Sequence, residues 1–183
     1  MPPSIAEAYK VLVGELTYAN IAWEIHRGFA GASAKPRNNT GPDESILPFL
    51  RHAVESEVAL ALCRLLDKDE QAAGFARLLQ PLPGQVAAQV QQELDSVQKE
   101  RDSVKWWRDK FLAHIDQLSM RQVMREGFND PKHLFFLNGA PRILKAVRAA
   151  LTQIAHHYGL PAPSVDPPAQ LADEVEQFLR CRR

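Results

Sequence analysis

Residues 85–125 read QVAAQVQQELDSVQKERDSVKWWRDKFLAHIDQLSMRQVMR, and this stretch decides the fold class because it contains neither glycine nor proline. Its apolar residues recur at the spacing that places them on one face of an α-helix. The recurring positions are Val86, Val90, Leu94, Val97, Val104, Trp107, Phe111, Ile115 and Leu118. The pattern predicts either one very long helix or two helices that meet at a bend.

The same periodicity extends to both sides of this stretch. Further helices are expected over residues 5–28, 46–65, 70–80, 139–158 and 168–180. The helix over residues 5–28 is expected to end around Arg27–Gly28, and the helix over residues 139–158 is expected to end at Gly159. Residues 28–44, rich in Gly, Pro and Asn, are interpreted as a long loop, and residues 161–168, with four prolines, as a stiff linker.

These elements predict an all-α bundle of four to five main helices with short additional helices. The expected organisation is one helical bundle over residues 1–160, followed by a proline-rich linker and a short C-terminal helix over residues 161–183. A chain of 183 residues and 20.5 kDa suits one domain with such a tail.

Composition excludes several classes of protein. The 22 basic and 22 acidic side chains give a net charge of zero, so bulk charge cannot hold a long nucleic acid and any such site must be local. No run of about 18 apolar residues is present, and the N-terminus lacks the blocks of a signal peptide. Only Cys63 and Cys181 are cysteines, too few for a disulfide framework. We expect a soluble, cytoplasmic protein without contact to a membrane.

One segment combines charged and imidazole side chains inside an otherwise apolar helix. Residues 104–116 read VKWWRDKFLAHID, and Arg108 shares a helical face with Val104 and Phe111. Desolvating a guanidinium on that face is costly unless an anion meets it, and the guanidinium fork suits a phosphate or a carboxylate equally. From these residues alone, Arg108 either binds an anionic ligand or pairs with an acidic side chain of a neighbouring helix.

Arg108–His114, RDKFLAH, resembles the signature of the HEPN superfamily, which is an arginine, a following polar residue and a histidine four to six residues farther along one helix. The continuation Ala113–Asp116 and the earlier stretch Leu62–Asp67, LCRLLD, resemble the abortive-infection, AbiU-type branch of that superfamily. The resemblance runs from about Tyr9 to Tyr158 in helix order. It implies a HEPN-like bundle.

The resemblance also implies a function, that of an endoribonuclease working without metal or cofactor, as a homodimer, in bacterial defence or a toxin–antitoxin-like system. RNA would be the substrate, and an antitoxin or regulatory protein a further partner. The implied catalytic residues are Arg108, which would hold the phosphate, and His114, which would exchange a proton during attack by the 2′-hydroxyl. Asp109, Lys110 and Asp116 would support them. Because Asp116 stands where nucleotidyltransferase-paired HEPN toxins have a modified tyrosine, silencing by that modification is not expected.

Helix geometry constrains how Arg108 and His114 can meet. Six residues correspond to about 9 Å of rise and about 120° of rotation, so their side chains diverge on one straight helix. They converge if the helix bends, or if two copies cross so that each Arg108 approaches the other chain's His114.

Several alternatives stay open at this level. Arg142, Lys145 and Arg148 form a basic stripe that is either a solvated face or a surface steering RNA toward Arg108. Trp106 and Trp107 would stack on bases or pack in a core or interface. Competing functions are an inactive HEPN module that binds RNA, nucleotide or protein, and a plain structural helical protein. No role is assigned to His26, His52 or His133.

Overall fold

The computed structural model describes residues 5–34, 47–66, 74–109, 131–164, 168 and 170–180. Over these ranges the chain is built from α-helices and contains no β-strand. The helices are α1 Ile5–Ala34, α2 Leu47–Leu65, α3 Phe75–Leu79, α4 Gly84–Asp95, α5 Gln98–Trp107, α6 Pro131–Tyr158 and α7 Leu171–Arg180. The prediction of an all-α bundle is confirmed.

A shared apolar core joins the three long helices and fixes the position of α5. α1 packs against α2 and α7, α6 packs against α4 and α5, and α2 also contacts α5. Fully buried side chains of the core include Leu12, Leu16, Leu62, Leu65, Ile143, Leu151 and Ile154. Burying one such side chain stabilises the fold by about 1.5–3 kcal/mol. The core therefore holds α2 and α5 side by side, which is the arrangement that creates the candidate site.

The long periodic stretch is divided between two helices in its described part. α4 ends at Asp95 and α5 begins at Gln98, with the buried Val97 at the junction. The Ser96 N–H donates to the Gln92 carbonyl, which closes the last turn of α4. Of the two predicted alternatives, two helices meeting at a bend is the one that this part of the chain adopts. Residues 110–125 lie outside the described residues.

The predicted end of the first helix at Arg27–Gly28 is wrong, because α1 continues to Ala34. Gly28 is buried where α7 crosses, and a Cβ at this position would lie 2.6 Å from the Ala172 carbonyl oxygen and 2.6 Å from the Val175 Cβ. The glycine therefore allows a close approach of two helices and is not a helix stop. The loop expected over 28–44 is accordingly wrong for residues 28–34, and residues 35–44 lie outside the described ranges.

Replacing Gly28 by alanine should destabilise the protein by about 1–3 kcal/mol, because α7 must move to admit the added methyl group. Gly14 provides a matched control, since it lies in the same helix and a Cβ there would meet nothing within 4 Å. Gly14→Ala should stabilise the protein by about 0.5–1 kcal/mol through higher helix propensity. Urea unfolding of both variants measures the difference, and equal effects would contradict the packing argument.

The helix expected from about Gly139 begins earlier, at Pro131, and runs through Pro141 to Tyr158. Proline is well tolerated at the first helical position because its missing N–H has no helical acceptor there. Gly139 lies inside the helix, where a Cβ would be 2.7 Å from the Glu100 Cγ, so it too is a packing glycine. The stop at Gly159 is confirmed by its φ of 63°.

The remaining short elements differ modestly from expectation. The third helix covers Phe75–Leu79, with residues 70–73 outside the described ranges, and α4 begins at Gly84. After α6, the Tyr9 hydroxyl donates to the Pro161 carbonyl at 2.7 Å, and α7 packs on α1. The division of the chain at residue 160 stays a prediction.

Candidate functional site

A cavity of about 230 Å³ opens between α2 and α5. It is lined on one side by Leu62 and Cys63 of α2 and by Leu66 just after that helix. On the other side it is lined by Arg101, Val104 and Lys105 of α5 and by Arg108 in the turn that follows. Among these lining residues, three are cations and none carries a carboxylate. The cavity therefore has one basic wall and one largely apolar wall.

Helical spacing explains the basic wall. Arg101, Val104, Lys105 and Arg108 are related as i, i+3, i+4 and i+7, which places them on one face of α5. Val104 is buried and anchors this face in the core, whereas the three long cationic side chains extend from the apolar base toward solvent. This face of α5 therefore brings three cationic residues to the cavity.

Arg108 lies at the end of α5 and is held by its neighbour in sequence. Its Nε and Nη2 donate to the Asp109 Oδ1 at 2.9 Å and 2.7 Å, and both residues belong to a π-type turn that follows α5. Such turns are frequent at functional sites. An ion pair this exposed contributes about 0–1 kcal/mol, so an incoming phosphate can displace or share it. Asp109 thus contacts the guanidinium directly, and its supporting role in catalysis stays a prediction.

Lys110, His114 and Asp116 lie outside the described residues. Their approach to Arg108, within one chain or between two, stays a prediction. Trp106 is partly buried and packs against the main core, which favours the packing interpretation for this residue.

The basic stripe on α6 is exposed, but none of its members lines the cavity. Arg142 forms an ion pair with Glu100, a buried residue of α5 that packs directly over Gly139. This pair joins α6 to α5 at a carboxylate that would otherwise be costly to bury. Lys145 and Arg148 lie farther along the same exposed face, and the RNA-steering role of the stripe stays a prediction.

The second stretch that carried the family resemblance, Leu62–Asp67, divides between two sides of α2. Leu62, Cys63 and Leu66 line the cavity, and Cys63 also packs against the core as a small apolar residue. Arg64 faces α1, where its Nε donates to the Glu15 Oε2 at 2.9 Å. Asp67 lies outside the described residues. The stretch therefore supplies the apolar wall of the site, with its arginine turned away from it.

Sequence reasoning missed Arg101 and Lys105. Their signal is present in the sequence as three cations at steps of four and three that flank the apolar Val104. The same pattern is typical of a helix face exposed to solvent. Only the packing of α2 opposite this face shows that it lines a cavity.

A second polar cluster, also missed, lies between α1 and α2. The Glu55 side chain is fully buried, and its Oε1 accepts hydrogen bonds from the His26 Nε2 at 3.2 Å and from the Arg51 Nε at 2.9 Å. Trp23 stacks on the His26 ring with 5.2 Å between centroids. Burial alone would raise the pKa of Glu55, but the His26 hydrogen bond and the adjacent Arg51 outweigh it and lower that pKa below its usual value. The cluster holds a carboxylate ionised inside the bundle.

Two kinds of feature are absent from the part of the chain that the structure describes. Its helices are all too short or too polar to cross a lipid bilayer. Within the same ranges, no three His, Cys, Asp or Glu side chains lie close enough together to hold a metal ion. The expectation of metal-independent chemistry stays a prediction, since His114 and Asp116 lie outside those ranges.

Comparison with known proteins identifies the family. The family model HEPN_AbiU2, described as AbiU2, matches residues 3–178. No curated protein and no solved structure matches the chain. The matched region begins before α1 and ends within α7, and it includes both walls of the cavity. The resemblance inferred from Arg108–His114 and Leu62–Asp67 is confirmed. The chain belongs to the AbiU2 family of HEPN-like abortive-infection domains.

Proposed function

We propose that this AbiU2 domain is an endoribonuclease that acts as a homodimer, with Arg108 and His114 as its catalytic residues. The observation that carries the proposal is the cavity beside Arg108, whose charged lining residues are all basic in a chain of zero net charge. A concave, locally cationic surface concentrates an anionic substrate such as a phosphodiester. Family membership adds the arginine–histidine signature and the expectation of RNA as that substrate.

The proposed reaction is an attack of the ribose 2′-hydroxyl on the adjacent phosphorus. The O2′–P bond forms as the P–O5′ bond breaks, one proton leaves the 2′-oxygen and one arrives at the departing 5′-oxygen. His114 exchanges these protons near neutral pH. Arg108 stabilises the charge that develops on the phosphorane-like transition state. The products are a 2′,3′-cyclic phosphate and a 5′-hydroxyl.

Homodimer formation supplies the geometry that this reaction needs. Because Arg108 and His114 diverge by about 120° on a straight helix, a two-fold axis between crossing copies brings one residue of each kind together twice. Each active site would then contain the Arg108 of one protomer and the His114 of its partner. Monomeric protein at working concentration, measured by sedimentation velocity, would contradict this arrangement.

The direct test is cleavage of single-stranded RNA by the purified full chain in the presence of EDTA. Cleavage should proceed and leave 2′,3′-cyclic phosphate termini. A DNA strand of the same sequence should remain intact, because it lacks the 2′-hydroxyl. Equal cleavage of DNA, or 3′-hydroxyl products from RNA, would refute the mechanism.

A second candidate function is RNA binding without turnover. The observation that favours it is the Arg108–Asp109 pair, in which two guanidinium donors already meet a carboxylate. If the pair persists when RNA binds, Arg108 contributes to affinity but is held away from the scissile phosphate.

Replacing Asp109 distinguishes the two functions. In a ribonuclease, Asp109→Ala loosens the orientation of Arg108 and should lower the cleavage rate about ten- to a hundredfold. Asp109→Asn retains an acceptor oxygen and should restore most of that rate. In a module that only binds, both substitutions remove a negative charge near the cavity and strengthen RNA binding while cleavage stays absent. Single-turnover cleavage and fluorescence anisotropy provide the two readouts.

A further inference from the structure

The basic wall of the α2–α5 cavity is longer than one phosphate group. At about 1.5 Å per residue, the seven steps from Arg101 to Arg108 cover about 10.5 Å along the axis of α5. Phosphates follow one another at about 3.4 Å along each strand of duplex DNA, and extended strands space them more widely. Three cations over this length therefore match two or three successive phosphates of one strand better than a single phosphate.

Two of these cations lack an acidic partner in the described part of the chain. Within the same ranges, other arginines are paired with glutamates, as Arg64 is with Glu15 and Arg142 with Glu100. Neither Arg101 nor Lys105 forms an ion pair or side-chain hydrogen bond with any described residue. Cations gathered without counter-charge on a concave surface favour an external anion.

The opposite wall restricts what kind of anion enters. Leu62 and Leu66 offer an aliphatic surface beside the Cys63 thiol, so a ligand must present charge toward α5 and a less polar side toward α2. A nucleotide strand has this asymmetry, with phosphates along one edge and sugars and bases along the other. In a duplex the bases are stacked inside and unavailable, whereas an unpaired strand can splay them against a protein surface.

The size of the cavity fits a segment of a longer ligand. A volume of about 230 Å³ lies below the about 300–1,000 Å³ of pockets that enclose a whole small molecule. A strand that places only a few nucleotides in the cavity and continues along the protein surface fits this volume, whereas a fully enclosed cofactor does not.

We infer that the α2–α5 cavity is a groove for single-stranded RNA in which Arg101 and Lys105 bind the phosphates next to the one held by Arg108. The inference rests on the proposed function for the role of the phosphate at Arg108, but binding along the groove does not require cleavage. Arg101 and Lys105 are binding residues in this arrangement, and they set a minimum substrate length of several unpaired nucleotides.

The salt dependence of binding tests this assignment. A fluorescein-labelled single-stranded RNA of about eight nucleotides is titrated with the full chain carrying His114→Ala, which prevents cleavage on the proposed mechanism. Each phosphate contact on a single strand contributes about 0.7 to the slope of log affinity against log salt. Arg101→Ala and Lys105→Ala should each lower that slope by about 0.7, and the double variant by about 1.4.

Three matched variants distinguish the loss of a phosphate contact at Arg101 or Lys105 from the general effect of removing a positive charge from α5. Arg101→Lys and Lys105→Arg retain the charge and should retain the slope. Lys99→Ala removes an exposed cation from α5 outside the cavity lining and should also retain it. An unchanged slope in Arg101→Ala and Lys105→Ala, or an equal loss in Lys99→Ala, would overturn the inference.

Cys63 reports occupancy of the groove independently. In a chain that also carries Cys181→Ser, Cys63 is the remaining cysteine of the sequence, and its alkylation by iodoacetamide can be followed by mass spectrometry. The eight-nucleotide RNA should slow alkylation several-fold, whereas inorganic phosphate, a nucleoside monophosphate or a blunt RNA duplex should not. Protection by phosphate or by the duplex equal to that by the single strand would overturn the proposed ligand.

Failure of the groove and failure of the ribonuclease give different results. A chain that binds RNA with the expected slopes and protects Cys63, yet cleaves no RNA, supports the groove and refutes the catalytic proposal. If cleavage depends on Arg108 but RNA binding is unchanged by Arg101→Ala and Lys105→Ala, the groove is refuted and the catalytic proposal stays in place.

Discussion

Glu55→Ala should lower the free energy of unfolding by about 3 kcal/mol, because it removes the acceptor of a buried charge cluster. The Glu55 carboxylate joins α1 to α2 through His26 and Arg51. Losses of about 3–5 kcal/mol follow when one partner of a fully buried ion pair is removed. The lower end applies here, since the Arg51 side chain reaches solvent.

Glu57→Ala is a matched control for this substitution. Glu57 lies two residues farther along α2 and accepts a hydrogen bond from the Tyr18 hydroxyl of α1 at 2.7 Å, but this pair is exposed. Its removal should cost less than about 1 kcal/mol. Urea unfolding at pH 7 measures both values, and comparable losses in the two variants would mean that the buried cluster contributes no more than a surface contact.

The same cluster predicts an acid-dependent loss of stability. Because the folded-state pKa of Glu55 is lowered, its contribution is fully present above the ordinary glutamate value of 4.5 and is lost as pH falls through the lower folded value. Glu55→Gln carries no titrating group at this position. The stability difference between the native chain and Glu55→Gln should therefore shrink as the pH is lowered from 6 to 3. A difference that stays constant over this range would contradict the assignment of an ionised Glu55.

Arg108→Ala should reduce RNA cleavage by about 10²–10³-fold, the loss typical of removing one donor to a developing oxyanion. Because the proposed role of the guanidinium is to stabilise the transition state, the loss should appear in kcat more than in KM. Arg101→Ala and Lys105→Ala, by contrast, should raise KM and leave kcat nearly unchanged, since the phosphates proposed to bind these residues do not react. The two patterns together distinguish catalysis from binding along one helix face.

Lys99→Ala serves as the control for Arg108→Ala because it removes an exposed cation from the same helix without touching the cavity lining. Its cleavage rate should equal that of the native chain. Arg108→Lys keeps a point charge but loses the planar fork, so an intermediate rate is expected. A native rate in Arg108→Ala would remove this residue from the mechanism.

The helices were predictable because apolar periodicity is a local property, whereas their ends depended on contacts between distant segments. Gly28 and Gly139 were both interpreted as helix boundaries, yet each is a position where another segment approaches too closely for a Cβ. In α1 that neighbour is α7, and in α6 it is Glu100 of α5. The sequence shows where each glycine lies. It does not show whether the glycine is there to end a helix or to let another segment pack closely against it.

The candidate site likewise contains residues that a local sequence pattern could identify and residues that it could not. Arg108 was recognisable because it belongs to a contiguous stretch that resembles the family signature; the family is confirmed over residues 3–178, whereas the role of Arg108 stays a prediction. Arg101 and Lys105 became part of the site only through Leu62 and Leu66, which lie opposite them on a helix far away in sequence. The pairing of His26 with Glu55 likewise joins two helices and has no local pattern. Long-range packing decided these features.

The most direct test of the central claim, that one protomer's Arg108 works with its partner's His114, is a mixing experiment with two inactive variants. Arg108→Ala and His114→Ala chains are unfolded together, refolded, and assayed for RNA cleavage against each variant refolded alone. A shared site predicts recovery of about a quarter of native activity, since half of the dimers are mixed and each mixed dimer holds one intact site. If the mixture cleaves no better than the separate variants although mixed dimers are detected by mass spectrometry, the two residues do not act across the dimer.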